Sequence, residues 1–263
     1  METYDFLKAT LMGLLEGATE FLPVSSTGHL ILLGDSVNFN RDISAVFEIS
    51  IQTGAIFALL IFYKRELNER LKVNSSNLFY LLAISFVPIG LFGFLFGEFI
   101  MRVLFFPVPV AISFIFGGVA ILLVEKKIKG KKDFAISDLS EVSNVDALKV
   151  GLVQALSLFP GMSRSGAAIV GGMYFGFSRS VATEFSFLLA VPVIVIAGAY
   201  SVFLDFQAIK ISNIPIFVVG FLSSFLSALI VVKWFLVYVK RRTLKIFGYY
   251  RIIVGGIILA LFI

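Results

Sequence analysis

The sequence predicts an all-α polytopic membrane protein: six transmembrane helices plus two re-entrant helical hairpins, arranged as an inverted-topology repeat. Three observations lead there. Long apolar runs recur along a chain that is 59% hydrophobic and only 15% charged. Lys and Arg gather in alternate connections between those runs. Two polar, glycine-bearing segments, one in each half, match each other.

The composition separates the chain from ordinary soluble domains, in which roughly a quarter of residues are charged. Its mean hydropathy is +0.98. A bilayer requires about 20 apolar residues per helix, and six stretches satisfy this: 44–63, 78–98, 108–124, 182–203, 215–236 and 248–263. The absence of cysteine excludes a disulfide framework and Cys-based metal sites. The N-terminal stretch has no basic region or small-residue cleavage site and is not read as a cleaved signal. Nothing points to nucleic acid, and residues 1–263 read as one membrane domain.

Three connections are basic: Lys64, Arg65, Arg70 and Lys72; then Lys126, Lys127, Lys129, Lys131, Lys132 and Lys149; then Lys240, Arg241, Arg242 and Lys245. The opposite connections hold only Arg41, Arg102 and Lys210. Charge runs are solvated loops in any protein, but their one-sidedness orients this one, with the basic set in the cytoplasm. Segment 149–181 must then begin and end in the cytoplasm, and segment 5–43 must begin and end outside. Both are expected to enter the membrane, break and return, which irregular backbone tolerates only inside protein or beside a wet cavity.

Residues 13–28 laid over 151–166 match identically at five of 16 positions: Gly13/Gly151, Leu14/Leu152, Phe21/Phe159, Ser25/Ser163 and Gly28/Gly166. Repeat one is placed at about 1–124, a cytoplasmic linker at about 125–148 and repeat two at about 149–263. Opposed repeats of this kind bind ligands near the midplane, where broken helices meet.

Ionisable groups inside apolar segments mark function by default. Glu16 and Glu20, spaced i, i+4, share a helix face, and their repulsion is relieved most simply by a divalent cation, which accepts carboxylates together with substrate phosphates. The plainer reading is a pair on a solvated helix end, which the apolar flanks disfavour. Pro23 and Pro160 each stop a helix ahead of a Ser-rich turn. Ser25 and Ser163 are suited to cap the returning helices, leaving free N–H groups that form an anion site. Arg164 adds a forked cation for phosphate oxygens. His29, the single histidine, lies one helical turn after Ser26 and can act as acid, base or nucleophile in phosphoryl transfer; the alternative is a packing histidine. Glu48 and Glu184 lie in the following spans, with function and structure evenly weighed, and Arg179 reads as a cytoplasmic flank residue.

The stretches EGATEFLPVSSTGHL (16–30) and PGMSRSG (160–166) resemble the two signature regions of the undecaprenyl-diphosphate phosphatase family, also called the bacitracin-resistance protein family. The resemblance covers essentially the whole chain. It implies an inverted-repeat fold and removal of the terminal phosphate of undecaprenyl diphosphate, giving the monophosphate carrier for cell-wall synthesis and conferring bacitracin resistance. It further implies dependence on a divalent cation (Mg²⁺ or Ca²⁺), a location in the bacterial inner membrane and a site opening outward. On the family's motifs, Glu16 and Glu20 are the metal ligands, Ser26, His29, Glu20 and Arg164 the catalytic set, and Ser25, Thr27, Ser163, Ser165, Gly161 and Gly166 hold the substrate. The expected partners are a polyprenyl diphosphate and the bilayer, and a homodimer is open to such a chain.

Type 2 phosphatidic-acid phosphatases require two histidines and are excluded by the single one here. A soluble P-loop enzyme is excluded by the lack of GxxxxGK[ST]. The competing function is a transporter or flippase for a polyprenyl phosphate, since inverted repeats are common in transporters. Three chemical routes are open: Ser26 attacks phosphorus and His29 takes its proton; His29 attacks and Ser26 holds an oxygen; or a metal-activated water attacks. The first is the expectation here.

Overall fold

A computed structural model describes residues 3–262 apart from 38, 40, 131–133 and 205–209. Lys131 and Lys132 of the second basic connection lie outside the described residues, as do the side chains of Arg41, Arg65, Arg70 and Lys72.

The first hairpin comprises α1 (Thr3–Thr19) and α2 (Ser26–Val37). The second comprises α5 (Asn144–Gln154), a 3₁₀ turn (Ala155–Leu158) and α6 (Arg164–Tyr174). At about 1.5 Å per residue, none of these four helices spans the ~30 Å hydrocarbon core. The remaining helices are α3 (Arg41–Leu104), α4 (Pro107–Lys127), α7 (Arg179–Leu204), α8 (Ile214–Arg241) and α9 (Lys245–Phe262). They carry six membrane-length apolar stretches: Val46–Lys64, Asn77–Leu104, Pro107–Lys127, Arg179–Phe203, Ile211–Arg241 and Lys245–Phe262. These are the six expected spans, and no strand occurs among the described residues.

Contacts fix the sense of each element. Gly13 of α1 lies against Gly220 of α8, and Gly17 against Ser224 and Ala228. Both numbers rise together, so α1 runs parallel to α8. The first span of α3 does the same: Ser50 bonds the Phe217 carbonyl at 3.0 Å, and Gly54 abuts Phe221. In the second span of α3, Ser85 meets Ala147 and Gly151, and Gly93 meets Leu158, so this span runs parallel to α5. Helix α6 folds back on α5, and α7 folds back on α6 through Gly172–Ala182 and Ser165–Ser186. Phe187, near the start of α7, packs against Phe235, near the end of α8, so these two run antiparallel. Helices α5 and α1 therefore point in opposite directions: the hairpins enter from opposite faces.

The packing is reciprocal. Gly13 and Gly151, paired in the sequence alignment, each lie against the backbone of the other half, at Gly220 and Ser85. A Cβ at either glycine would collide with a carbonyl oxygen. Between helices in lipid there is little hydrophobic drive, so association depends on close backbone approach at such small residues. Large apolar side chains divide accordingly: Phe21, Phe47, Phe114, Phe185 and Phe235 are buried, while Phe94, Phe99 and Phe203 face outward.

Helix α5 is capped by Ser143, which forms a capping box with Asp146. At the same face, Arg179 departs from its expected role as a simple flank charge. Its Nε and Nη2 donate to the two carboxylate oxygens of Glu125 at 2.8 and 2.6 Å. Glu125 is buried and also accepts from the Leu244 amide at 2.8 Å. A buried carboxylate requires such partners, and this one ties the end of α4 to the starts of α7 and α9.

Candidate active site

The break of each hairpin is set by proline and by one strained serine. Ser25 has φ 71° and Ser163 φ 72°, a left-handed conformation that non-glycine residues rarely hold without compensation. The compensation is capping, as the sequence predicts. Ser163 Oγ accepts from the Gly166 amide at 3.0 Å, and Ser25 Oγ from the Gly28 amide at 3.4 Å. Gly161, at φ 90°, supplies the turn that leads into Ser163.

The two breaks meet. Ser165 Oγ donates to the Leu22 carbonyl at 2.7 Å, and Ser163 Oγ reaches the same oxygen at 3.5 Å. Arg251 of α9, fully buried, clamps both turns. It donates to the carbonyls of Pro23 (3.1 Å) and Gly161 (2.9 Å), and to those of Ser113 and Phe114 on α4 (3.1 and 3.2 Å). Four carbonyl oxygens thereby solvate a guanidinium that water does not reach. Arg251 stands inside an apparent span, so the general rule on intramembrane charge could have found it; its partners, being backbone, leave no sequence signal.

Glu20 is the centre of the polar contacts. Its Oε2 accepts from Ser26 Oγ at 2.6 Å and its Oε1 from Arg164 Nη2 at 2.7 Å. Arg164 also donates through Nη1 to the Ser186 carbonyl at 2.9 Å, while its Nε is buried without a partner. Glu16, one turn before Glu20, is fully buried with neither carboxylate oxygen hydrogen-bonded, and it lies within electrostatic reach of Glu20 and Glu48. Unpaired buried oxygens of this kind call for a cation or a proton. No group of three or more His, Asp and Glu residues suited to a metal occurs among the described residues. Two carboxylates nevertheless fit a hard cation that completes its shell with phosphate oxygens and water.

His29 is arranged differently from the sequence expectation. Its Nδ1 lies 2.7 Å from the Ser25 carbonyl and its Nε2 2.6 Å from the Tyr250 hydroxyl. Its ring lies nearly parallel to that of Tyr250 and is tilted against Phe114. Ser26 therefore donates to Glu20, and no Ser26–His29 hydrogen bond occurs among the described contacts. Thr27 is half-buried. Gly166 lies close to both Ser163 and Arg251. Thus Glu16, Glu20, Ser25, Ser26, Ser163, Arg164, Ser165, Gly161 and Gly166 converge where the hairpins touch. His29 stands on the adjoining face of α2, toward α9.

Comparison with known proteins places the whole chain in one family. The family model of the bacitracin resistance protein BacA matches residues 9–257. An undecaprenyl-diphosphatase of Methylobacillus flagellatus is 47% identical over 99% of both chains. Those of Polaromonas naphthalenivorans and Albidiferax ferrireducens are 46% and 44% identical, each over 99% of this chain and 96% of the relative. The opposed hairpins, the serine-capped breaks and the full-length match lead to one statement: this chain belongs to the BacA family of bacitracin resistance proteins.

Proposed function

We propose that this protein is an undecaprenyl-diphosphate phosphatase, hydrolysing the membrane-bound diphosphate to undecaprenyl phosphate and inorganic phosphate and so conferring bacitracin resistance. The observation that carries this reading is the Glu20 carboxylate joining Ser26 and Arg164 at 2.6 and 2.7 Å, where two opposed hairpin tips meet inside a membrane domain. A hydroxyl held on a carboxylate is a nucleophile with its base in place. A guanidinium beside it suits the oxygens of a phosphoryl group.

Ser26 Oγ attacks the terminal phosphorus while its proton passes to Glu20. The bond from that phosphorus to the bridging oxygen breaks, and undecaprenyl phosphate departs. Glu20 passes that proton to the departing undecaprenyl phosphate. Water then attacks the phosphoserine and gives a proton to the restored Glu20 carboxylate. The bond from phosphorus to Ser26 Oγ breaks, Glu20 returns the proton to Oγ, and inorganic phosphate leaves. As substrate enters, Arg164 turns from Glu20 toward the phosphate oxygens, and its unpaired Nε adds a second donor for the fork. Glu16 and Glu20 are the residues that would hold a divalent cation, Mg²⁺ or Ca²⁺. When bound, that cation neutralises charge on the diphosphate and favours in-line displacement.

The protein resides in the bacterial inner membrane with the first hairpin entering from outside. The gathering of Lys126, Lys127, Lys129, Lys149, Lys240, Arg241, Arg242 and Lys245 at the opposite face supports that orientation. The opposed hairpins also fit transport of a polyprenyl phosphate. Phosphate release from undecaprenyl diphosphate by the purified protein separates the readings. Turnover that disappears in Glu20→Gln supports the phosphatase. Lipid movement across reconstituted vesicles without phosphate release would replace it.

A further inference from the structure

The two halves are not chemically equivalent at one matched position. Aligning Gly13 with Gly151 places His29 on Ala167. The same offset aligns Gly117-Gly118 of α4 with Gly255-Gly256 of α9 and places Tyr250 on Ile112. One half therefore sets an imidazole against a phenol, joined at 2.6 Å, where the other half carries two apolar residues. A polar pair maintained in only one of two related sites is costly in lipid unless it serves the chemistry.

Geometry determines the proton positions. A carbonyl oxygen only accepts, so the 2.7 Å contact with Ser25 requires the proton on Nδ1. Nε2 then offers a lone pair, and the Tyr250 hydroxyl donates to it. If Nε2 gains a proton, the same hydroxyl rotates and accepts. A phenol can therefore hold both the imidazole and the imidazolium without moving, which neither a carboxylate nor an ammonium does. The Ser25 carbonyl belongs to the strained residue that caps α2, so the ring is fixed at both ends by groups from opposite halves of the chain.

We propose that Tyr250 is the positioning residue of His29: with the Ser25 carbonyl holding the proton on Nδ1, the Tyr250 hydroxyl engages Nε2, the one nitrogen able to exchange a proton, and fixes the direction of the ring. This rests on the diphosphatase reading for its kinetic arm only. Orienting partners of this kind preserve tautomer and direction rather than contact substrate.

The protein contains a single histidine, so ring-¹⁵N-labelled histidine in the purified, detergent-solubilised chain gives one pair of ring resonances. At a pH where the ring is neutral, the wild type is expected to show Nδ1 protonated and Nε2 hydrogen-bonded, with the Nε2 resonance displaced in Tyr250→Phe. In the phosphate-release assay, Tyr250→Phe is expected to lower kcat by no more than His29→Gln does, with KM within about twofold. In a His29→Gln background, Tyr250→Phe is expected to add no further loss. An Nε2-protonated ring in the wild type, a spectrum indifferent to Tyr250→Phe, or losses that multiply in the double variant would each overturn the proposal. The wild-type spectrum decides even if Tyr250→Phe does not fold, and it reads independently of whether the protein is a phosphatase.

Discussion

Ser26 and Arg164 occupy the same position of the two internal repeats and donate to opposite oxygens of one carboxylate, Glu20, at 2.6 and 2.7 Å. Each is the first residue of its returning helix, directly after a serine with φ near 70°. Repeated backbone geometry thus delivers a hydroxyl from one half and a guanidinium from the other to a single carboxylate.

This sharing predicts that Arg164→Lys is severely impaired although charge is kept. An ammonium cannot bond Glu20 and the Ser186 carbonyl simultaneously in the planar fork now observed. We expect kcat to fall about 100-fold while the protein elutes as a folded species. Phosphate release measured beside size-exclusion chromatography checks it, and wild-type turnover would reduce Arg164 to a structural tie.

The Ser26–Glu20 bond predicts a covalent intermediate. Rapid acid quenching with labelled diphosphate should trap an acid-stable, alkali-labile phosphate on Ser26, absent in Ser26→Ala. An acid-labile adduct on His29 would instead make the imidazole the nucleophile. Glu20→Gln should reduce the rate of adduct formation by at least about 100-fold, because the proton of Ser26 then has no base.

The orphaned Glu16 oxygens predict dependence on a divalent cation. Turnover should cease in excess chelator and return with Mg²⁺ or Ca²⁺. Glu16→Gln should raise the metal concentration needed for half-maximal activity by about tenfold or more. Full activity in chelator would leave Glu16 as a protonated, packed acid.

The Glu125–Arg179 pair predicts a stability effect separable from chemistry. Arg179→Met leaves Glu125 buried with only the Leu244 amide, and we expect a loss of about 3 kcal/mol in thermal or denaturant unfolding in detergent. Replacing both partners, as Glu125→Gln with Arg179→Met, should recover part of that loss by removing the stranded charge. Equal destabilisation of single and double variants would show that the ion pair contributes nothing.

Much of this molecule was legible in its sequence. Bilayer thickness sets the period of the six spans, and one-sided Lys and Arg set their order. The hairpins follow because segments that must begin and end on one face cannot cross. Ser25 and Ser163 were readable as caps, since proline, serine and glycine at those spacings act locally. Even the acidic pair and Arg164 stood out, because charge in an apolar run is conspicuous. Which group meets which was decided only by the fold. Ser26 and His29 are neighbours in sequence, yet Ser26 turns to Glu20 and His29 to Tyr250, 221 residues away. Arg179 read as a flank charge until α4 brought it Glu125. Arg251 bonds only backbone carbonyls, which every residue possesses and none advertises. Sequence encodes what each side chain can do at short range; the reciprocal packing of two opposed halves determines which of those capacities share one point in space.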